Sequence, residues 1–444
     1  MRPNFHLMKA TLTGALGGLL FGFDTVVISG AIDALVKLYG LSANQEGFTV
    51  GIGLVGTVIG ALSAGMIGQR LGSRETLRIT ALLYIVSAAG CGLAWNWPSF
   101  LLFRFIGGLG IGASSVLGPV YIAELAPAKW RGRLVAAFQF NVVLGIVVAY
   151  TSNYAIRSMN LGASEWRWQV GIAALPALGF LALLFFIPRS PRWSASRGQI
   201  DDALAVLKQM GESDPKAELA DIRSALKEEH ATAHESVFQW KYRYPLFLAI
   251  SIGAFNQLAG INAILYYLND IFKAAGFSQL SGDEKGIAIG ATNLVFTMIG
   301  MSFIDKVGRK TLLLIGAVGT ASCLGAVAWV YASNSHLDAL VWILITYIAF
   351  FALSQGAVIW VYIGEVFPNS VRSKGQGVGS ASHWFMATVI AQSFPWVATH
   401  MGTAAPFVFF GIMTVVQFLV VLFTYPETKG QTLEALQRRL VHAE

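Results

Sequence analysis

The sequence predicts an all-α integral membrane protein, in which twelve transmembrane helices form two six-helix pseudo-repeats with a small cytoplasmic helical domain between them. Three observations predict this fold class: the composition, a series of long apolar runs and an internal repeat. Of the 444 residues, 55% are hydrophobic and only 12% are charged, whereas a soluble domain carries about 25% charged residues. The composition therefore excludes an ordinary soluble globular protein.

Twelve apolar runs reach the ~20 residues that a helix needs to span a bilayer. They lie at 10–32, 47–68, 76–95, 99–123, 133–155, 168–187, 244–269, 286–304, 311–331, 338–363, 376–398 and 405–424. The predicted domains are an N-terminal six-helix bundle (1–187), a cytoplasmic helical linker (188–243), a C-terminal six-helix bundle (244–424) and a cytoplasmic tail (425–444). In the linker, "GQIDDALAVLKQMG" (198–211) has the pattern of a short amphipathic helix.

The distribution of positive charge predicts the orientation, because cytoplasmic loops are rich in lysine and arginine. With both termini cytoplasmic, the inner loops hold Arg70, Arg74, Arg78, Lys129, Arg131, Arg133, Lys306, Arg309, Lys310, Arg372 and Lys374. The outer loops then hold only Lys37, Arg157, Arg167, Lys273 and Lys285. We expect a multi-pass protein of the cytoplasmic (plasma) membrane. Its net charge of +7 then reflects topology, and no nucleic-acid partner is expected.

Three pairs of loop segments repeat at nearly one spacing. "GQRLGSR" (68–74) matches "IDKVGRK" (304–310), "YIAELAPAKWRG" (121–132) matches "YIGEVFPNSVRS" (362–373), and "IPRSPRW" (187–193) matches "YPETKGQ" (425–431). Six helices per copy give both copies the same direction through the membrane, as in transporters with parallel repeats, whose substrate site lies near the midplane between the halves. The same spacing aligns Asp24 of "GFD" with Asn262 of "GIN".

Asp24 is a lone acid within the first apolar run, and an ionisable residue inside a membrane indicates function. Its expected partner is Arg104 in the fourth run, since each lies roughly 8–12 Å from the same membrane face at 1.5 Å per residue. Burial favours the protonated acid and a nearby arginine favours the carboxylate. A pair that closes in one conformation and opens in another would therefore exchange a proton. The alternative is a permanent structural ion pair between two helices.

The other polar residues of the apolar runs are mainly amides and aromatics. Amides donate and accept hydrogen bonds with hydroxyls, and aromatic faces pack on the apolar face of a sugar ring. The predicted substrate-binding residues are Gln139, Asn256, Gln257, Asn262, Asn293, Trp360, His383 and Trp384. Each amide could instead join helices by a hydrogen bond, worth about 0.6 kcal/mol on average. No metal or nucleophile motif occurs, so we expect no enzyme, no metal and no cofactor beyond the proton as coupling ion.

The motifs together resemble the sugar porter family of the major facilitator superfamily over essentially the whole chain. They are "GGLLFGFDTVVISGA", "RFIGGLGIG", "YIAELAPAKWRGRL", "PRSPRW", "QLAGINAILYY", "DKVGRK", "EVFPNSVR" and "PETKGQTLE". The resemblance implies alternating access of a sugar site, with Asp24 like the proton-accepting aspartate of bacterial symporters and Arg104 like its partner. It also implies a network of charges that closes the inner gate. That network is Arg70, Arg74, Glu124, Arg131, Asp305, Arg309, Glu365 and Arg372.

Several positions depart from the pattern of the family. Asn256-Gln257 replaces a Gln-Gln pair, His383 replaces Gln or Asn, and Gly356-Ala357 lacks the usual proline, which leaves the bend of that helix in question. Gln69 and Arg189 replace acids of the inner gate, which predicts a bias toward the inward-open state. These replacements are expected to change which sugar is accepted and how the gate closes.

The expected function is proton-coupled import of a monosaccharide, a hexose or a pentose, by a monomer in the lipid bilayer. A sugar uniporter, in which the Asp24–Arg104 pair is purely structural, is the alternative. A membrane sugar sensor fits less well, because the tails outside the apolar runs are short.

Overall fold

The computed structural model describes residues 4–127, 129–232, 235–368, 371–431 and 440. Most of the predicted tail at 425–444 lies outside the described residues. Regular structure in the described residues is helical throughout.

All twelve predicted runs lie in helices. The first half contains α1 (Phe5–Tyr39), α2 (Ala43–Leu71), α3 (Ser73–Gly92), α4 (Trp97–Leu125), α5 (Arg131–Ser158), α6 (Glu165–Gly171), α7 (Ala174–Leu183), α8 (Pro191–Ser196), α9 (Ile200–Met210) and α10 (Pro215–Thr232). The second half contains α11 (Arg243–Leu258), α12 (Ile261–Tyr266), α13 (Leu268–Ala274), α14 (Gln279–Val307), α15 (Arg309–Ser333), α16 (Leu340–Phe351), α17 (Ala357–Glu365), α18 (Arg372–Met401) and α19 (Ala405–Thr424).

Ten helical stretches of the described residues are long and apolar enough to cross a membrane. The remaining two predicted runs are α3 and α18. The first turns of α3 carry Arg74, Glu75 and Arg78, and α18 contains several serines, two histidines and two glutamines, so both are less apolar than the others. Both runs are nevertheless continuous helices, of 20 residues in α3 and 30 residues in α18.

The chain divides into two compact units. The first unit comprises Met1–Asp24, Val55–Ile146 and Val170–Glu235, and the second comprises Thr25–Leu54, Val147–Gln169 and Ser236–Glu444. The predicted domain boundaries at 187, 243 and 424 do not coincide with these units and stay predictions.

Close helix packing in the first unit depends on glycine. Gly22 of α1 lies against the carbonyl of Val142 on α5, and Gly145 of α5 lies against the carbonyl of Leu19 on α1. A side chain at either glycine would collide with backbone, which does not yield. The first unit also contains the predicted amphipathic helix as α9, which packs on α8 and α10 with Leu207 buried.

The second unit contains two interrupted helices. The seventh predicted run forms two helices. The first, α11, ends at Leu258, and the second, α12, begins at Ile261, with Gly260 between them at φ +88°. The tenth run is interrupted by a π-helical segment at Ala352–Gly356. Gly356-Ala357 lacks the proline that is usual in the family, and a π-helical turn, a known cause of a bend in a helix, lies there instead.

Candidate functional site

The acid predicted to exchange a proton lies against its predicted partner in the first unit. Arg104 donates from Nη1 to both carboxylate oxygens of Asp24, at 2.9 and 3.0 Å. The Asp24 side chain is 15% exposed and that of Arg104 is 6% exposed. Because Gly22 lets α1 approach α5 closely, this part of α1 is fixed by backbone contact. The ion pair is therefore almost completely buried, and the segment of α1 that carries Asp24 packs against the backbone of α5.

Most of the predicted sugar-binding residues lie in the second unit, where they form an amide–aromatic cluster around His383. The ring of His383 lies 5.0 Å from that of Trp360 and 4.8 Å from that of Trp384, measured between centroids. Gln257 Nε2 lies 3.2 Å from His383 Nε2 and donates to Asn256 Oδ1 at 3.0 Å. The cluster therefore brings together five of the eight predicted residues.

The amide of Gln257 is oriented by these contacts. Its nitrogen is used by Asn256 and His383, while its oxygen Oε1 is buried without a hydrogen-bond partner among the described residues. A buried acceptor without a donor is costly. A hydroxyl is a donor that would satisfy it.

Three predicted sugar-binding residues lie outside this hydrogen-bonded cluster. Asn262 is half-buried in the first turn of α12, directly after the break at Gly260. Asn293 is buried in α14 and accepts a hydrogen bond from Thr297 at 3.3 Å. Gln139 is half-buried in α5 and belongs to the first unit.

The π-helical segment was not predicted by the sequence, and it precedes Trp360 by one turn. Ser354 within it donates to the carbonyl of Phe350 at 2.6 Å, and Gly316 of α15 makes room for the Ser354 side chain. Gln355 of the same segment donates to Gln417 of α19 at 3.0 Å, and both amides are buried. The position of Trp360 in the aromatic cluster thus depends on an irregular turn that is anchored on two other helices.

The predicted inner-gate residues of the first repeat form hydrogen bonds and ion pairs mainly with residues outside the predicted set. Ser73 donates to Glu124 at 3.0 Å, and Arg74 pairs with Glu75 at 2.6 Å. Arg131 is exposed and pairs with Glu218 of the linker at 3.4 Å. Arg70 is exposed, and within the described ranges its side chain forms no ion pair.

The predicted inner-gate residues of the second repeat centre on Arg309. This side chain is 9% exposed and pairs with Glu365 at 2.7 Å and with the exposed Asp305 at 2.8 Å. Arg372 donates to the carbonyl of Phe367 at 3.3 Å. The second repeat therefore has a buried ion pair where the first has a hydroxyl and a carboxylate.

Arg189, which replaces an acid of the family pattern, lies 3.4 Å from Glu75. It therefore has a negative neighbour in the first repeat. Cys91 and Cys323 are both free and buried. Within the described ranges no group of three or more histidine, cysteine, aspartate or glutamate side chains could hold a metal ion.

Comparison with known proteins identifies the family. A family profile described as "Sugar (and other) transporter" matches residues 10–440. The chain belongs to this family of sugar transporters. The arabinose-proton symporter of Bacillus subtilis (strain 168) is 36% identical to it over 432 residues, with 95% of this chain and 92% of the relative covered.

Two further comparisons agree in fold and length. The D-xylose-proton symporter of Escherichia coli (strain K12) is 33% identical over 469 residues, with 97% of this chain and 95% of the relative covered. The solved structure of the xylose transporter XylE from E. coli, in a partially occluded inward open conformation, superposes with a TM-score of 0.87 at 31% identity. It covers 97% of this chain and 100% of that one. The predicted major facilitator fold and the predicted family are thereby confirmed.

Proposed function

We propose that this sugar transporter imports a monosaccharide together with a proton, and that Asp24 carries the proton. The observation that carries the proposal is the buried ion pair between Asp24 and Arg104. The relatives from B. subtilis and E. coli are proton symporters of arabinose and of D-xylose. We therefore propose a pentose as the first substrate to test, with hexoses next.

The proposed proton exchange requires the pair to open and close during transport. While Arg104 contacts Asp24, its positive charge stabilises the carboxylate. A conformational change that separates them leaves a buried carboxylate without a counter-charge, and such a group takes up a proton instead of staying ionised. Re-forming the pair expels the proton. One cycle of alternating access thus carries one proton from one side to the other.

Sugar binding is assigned to the cluster around His383. Gln257 Oε1 would accept from a sugar hydroxyl, Asn262 and Asn293 would supply further donors and acceptors, and Trp360 and Trp384 would pack on the ring face. The cluster offers amides and aromatic rings, which suit a neutral sugar better than an anion. Arg372 and the other predicted gate charges would line the inner gate.

We propose that both termini are cytoplasmic and that the protein acts as a monomer in the plasma membrane. We call the side of the second unit at which α1 and α5 end and α14 begins the far end. In this orientation the far end would face outward. The positive charge of the opposite loops supports this orientation.

Purified protein in liposomes tests the proposal. We expect the lumen to acidify when D-xylose or L-arabinose is supplied outside, and Asp24→Asn to abolish accumulation against a gradient while sparing exchange of labelled sugar between the two sides. Arg104→Gln should also impair accumulation, because the acid then keeps its proton. The control Glu284→Gln removes an exposed acid from a membrane helix and should leave accumulation intact.

The uniporter interpretation makes the opposite prediction. If the Asp24–Arg104 pair is only structural, then no lumenal acidification follows the sugar, and Asp24→Asn fails to alter the final sugar concentration. That result would disprove coupling through Asp24.

A further inference from the structure

A second buried ion pair lies in the second unit, far from Asp24 in sequence. Arg157, one residue before the end of α5, donates from Nε to Asp283 of α14. Its Nη1 donates to Glu165 and to Gln279, both at 2.9 Å, and its Nη2 donates to the carbonyl of Gly30 on α1 at 2.9 Å. The Arg157 side chain is 12% exposed and that of Asp283 is fully buried.

The carboxylate of Asp283 is satisfied on both oxygens. Oδ2 accepts from Arg157, and Oδ1 accepts from Asn269 of α13 at 2.7 Å. The same Asn269 nitrogen also donates to the carbonyl of Ser29 on α1 at 3.1 Å. A buried carboxylate is stable only when it is paired and hydrogen-bonded in this way.

A second, more exposed group of contacts lies beside this one. Asp33 of α1 pairs with Lys37 at 2.6 Å, pairs with Lys273 of α13, and accepts from Gln279 Nε2 at 2.6 Å. The hydrogen bond to Asp33 raises the pKa of the Lys273 ammonium above its ordinary value. Gln279 therefore links the buried group to the exposed one.

These contacts join helices that belong to different repeats. Within the second unit, α1 and α5 come from the first repeat, and α13 and α14 come from the second. The packing around the charges is close, since Gly30 faces the Asn153 side chain and Tyr150 donates to the carbonyl of Leu265 at 2.9 Å. By contrast, the Asp24–Arg104 pair lies within one repeat. Because alternating access moves the repeats relative to one another, opening of the far end would separate Arg157 from Asp283.

We propose that Arg157, Asp283, Asn269 and Gln279, with the carbonyl of Gly30, form a releasable latch that holds the far end of the transport path closed. The latch rests on the proposed alternating-access function and adds the gate that governs one of its two states. When the far end opens, water reaches both charges, so they lose their partner and regain hydration together. When it closes, the pair replaces that hydration. Such a pair stabilises the closed state without making it permanent.

Labelling of a cysteine at the latch tests this inference. Ser29 is buried in α1, and Ser29→Cys changes only one atom. Purified full-length protein in detergent is treated with a hydrophilic maleimide, and labelling of the chain that carries only its native, buried cysteines is subtracted. In an otherwise native chain, the Ser29→Cys variant should react slowly. Asp283→Asn or Arg157→Gln should accelerate the reaction by roughly tenfold or more, since each leaves a buried charge unpaired in the closed state.

The neighbouring acid provides a matched control. Glu284 is exposed, and Glu284→Gln should leave the labelling rate within about twofold of the native rate, as expected for a surface charge. The exchange of both charges, Arg157→Asp with Asp283→Arg, should return labelling toward the slow rate. A rate that is unchanged by Asp283→Asn would overturn the latch.

A milder variant tests the latch if the variants of Arg157 and Asp283 do not fold. Asn269→Ala removes one support of Asp283 and keeps the ion pair, so labelling should accelerate by about threefold, a change typical of one lost buried hydrogen bond. An unchanged rate in folded Asn269→Ala would also overturn the proposal. None of these measurements needs sugar or a proton gradient, so their failure is separate from a failure of symport.

Discussion

The starts of α3 and α15 are repeat-related junctions that share a backbone but differ in chemistry. Gly72 precedes α3 with φ 91° and ψ 150°, and Gly308 precedes α15 with φ 104° and ψ 153°. Both glycines have positive φ, where a side chain would be strained. The space over Gly72 is filled by the ring of Trp193, and the space over Gly308 by the carboxylate of Glu427. The repeats share this backbone, while the groups that satisfy the helix start differ.

The start of α15 is capped by a residue that is distant in sequence. Glu427 accepts from the backbone N–H groups of Arg309 at 2.9 Å and Lys310 at 3.1 Å. A carboxylate at a helix N-terminus satisfies free N–H groups and interacts favourably with the helix dipole. Arg309 then reaches Glu365, which also accepts from Thr428 at 2.6 Å. The segment after α19 is thereby fixed to α15 and to the end of α17.

The helix start of α3 has an acid in its own first turn. Among the described residues no side chain caps it, and that acid, Glu75, pairs with Arg74 and with Arg78. Arg189 occupies the repeat position of Glu427, and Ser73 occupies that of Arg309. Arg74 and Arg78 also donate to the carbonyls of Ile187 and Leu184 after α7, at 2.9 and 3.1 Å, so α3 is connected to that segment mainly through neutral carbonyls. The first junction is expected to be the weaker connection of the two, because the second adds the buried Arg309–Glu365 pair and the cap from Glu427.

The largest expected effect comes from making the second junction resemble the first. Arg309→Ser removes a buried guanidinium and leaves Glu365 without its main partner, so it should destabilise the protein by about 2–3 kcal/mol. The measurement is the thermal unfolding of the purified protein in detergent, followed by tryptophan fluorescence. Ser73→Ala at the equivalent position should cost about 1 kcal/mol or less, since it removes one hydrogen bond from a hydroxyl. Equal losses would show that the two junctions are equally strong.

Local and periodic features of the fold could be predicted from the sequence. The repeat spacing aligned Gly72 with Gly308, and the twelve apolar runs located the long helices, because both signals are periodic or local. The depth argument placed Asp24 near Arg104. These features need only helix geometry and the cost of burying charge.

Other features depend on tertiary contacts that no local pattern reports. The π-helical turn at Ala352–Gly356 adds one residue to a helix without altering its hydropathy, so its only sign in the sequence was the missing proline after Gly356. Arg157 and Lys273 were assigned to outer loops by their charge. Their partners include Asp283, which lies just before an apolar run, where an acid is ordinary until the fold buries it. The useful signal would have been the presence of opposite charges at the same end of several helices.

The cap of α15 is the subject of the second prediction. Glu427→Gln keeps the size of the side chain but removes its charge and one acceptor, so it should cost about 1 kcal/mol, the usual value of a helix cap with its dipole interaction. The same unfolding assay measures it. Arg189→Gln at the repeat-related position should change stability by less than about 0.5 kcal/mol, because its contact with Glu75 is long and half-exposed. The contrast between the junctions fails if Arg189→Gln proves the more damaging of the two.

The smallest expected effect comes from making the first junction resemble the second. Arg189→Glu places a carboxylate where the uncapped N–H groups of α3 begin, and it also removes the contact with Glu75 and brings two acids closer together. The favourable interaction with the helix dipole, about 0.3–1 kcal/mol, should exceed the loss of an exposed pair, so a small net gain in unfolding temperature is expected. Adding Glu75→Gln to this variant should reduce the gain, because it removes the ion pairs that Glu75 forms with Arg74 and Arg78. A loss of stability in Arg189→Glu alone would mean that the backbone of the first junction cannot use a cap supplied from the segment after α7, and that the similarity of Gly72 to Gly308 extends only to their dihedral angles.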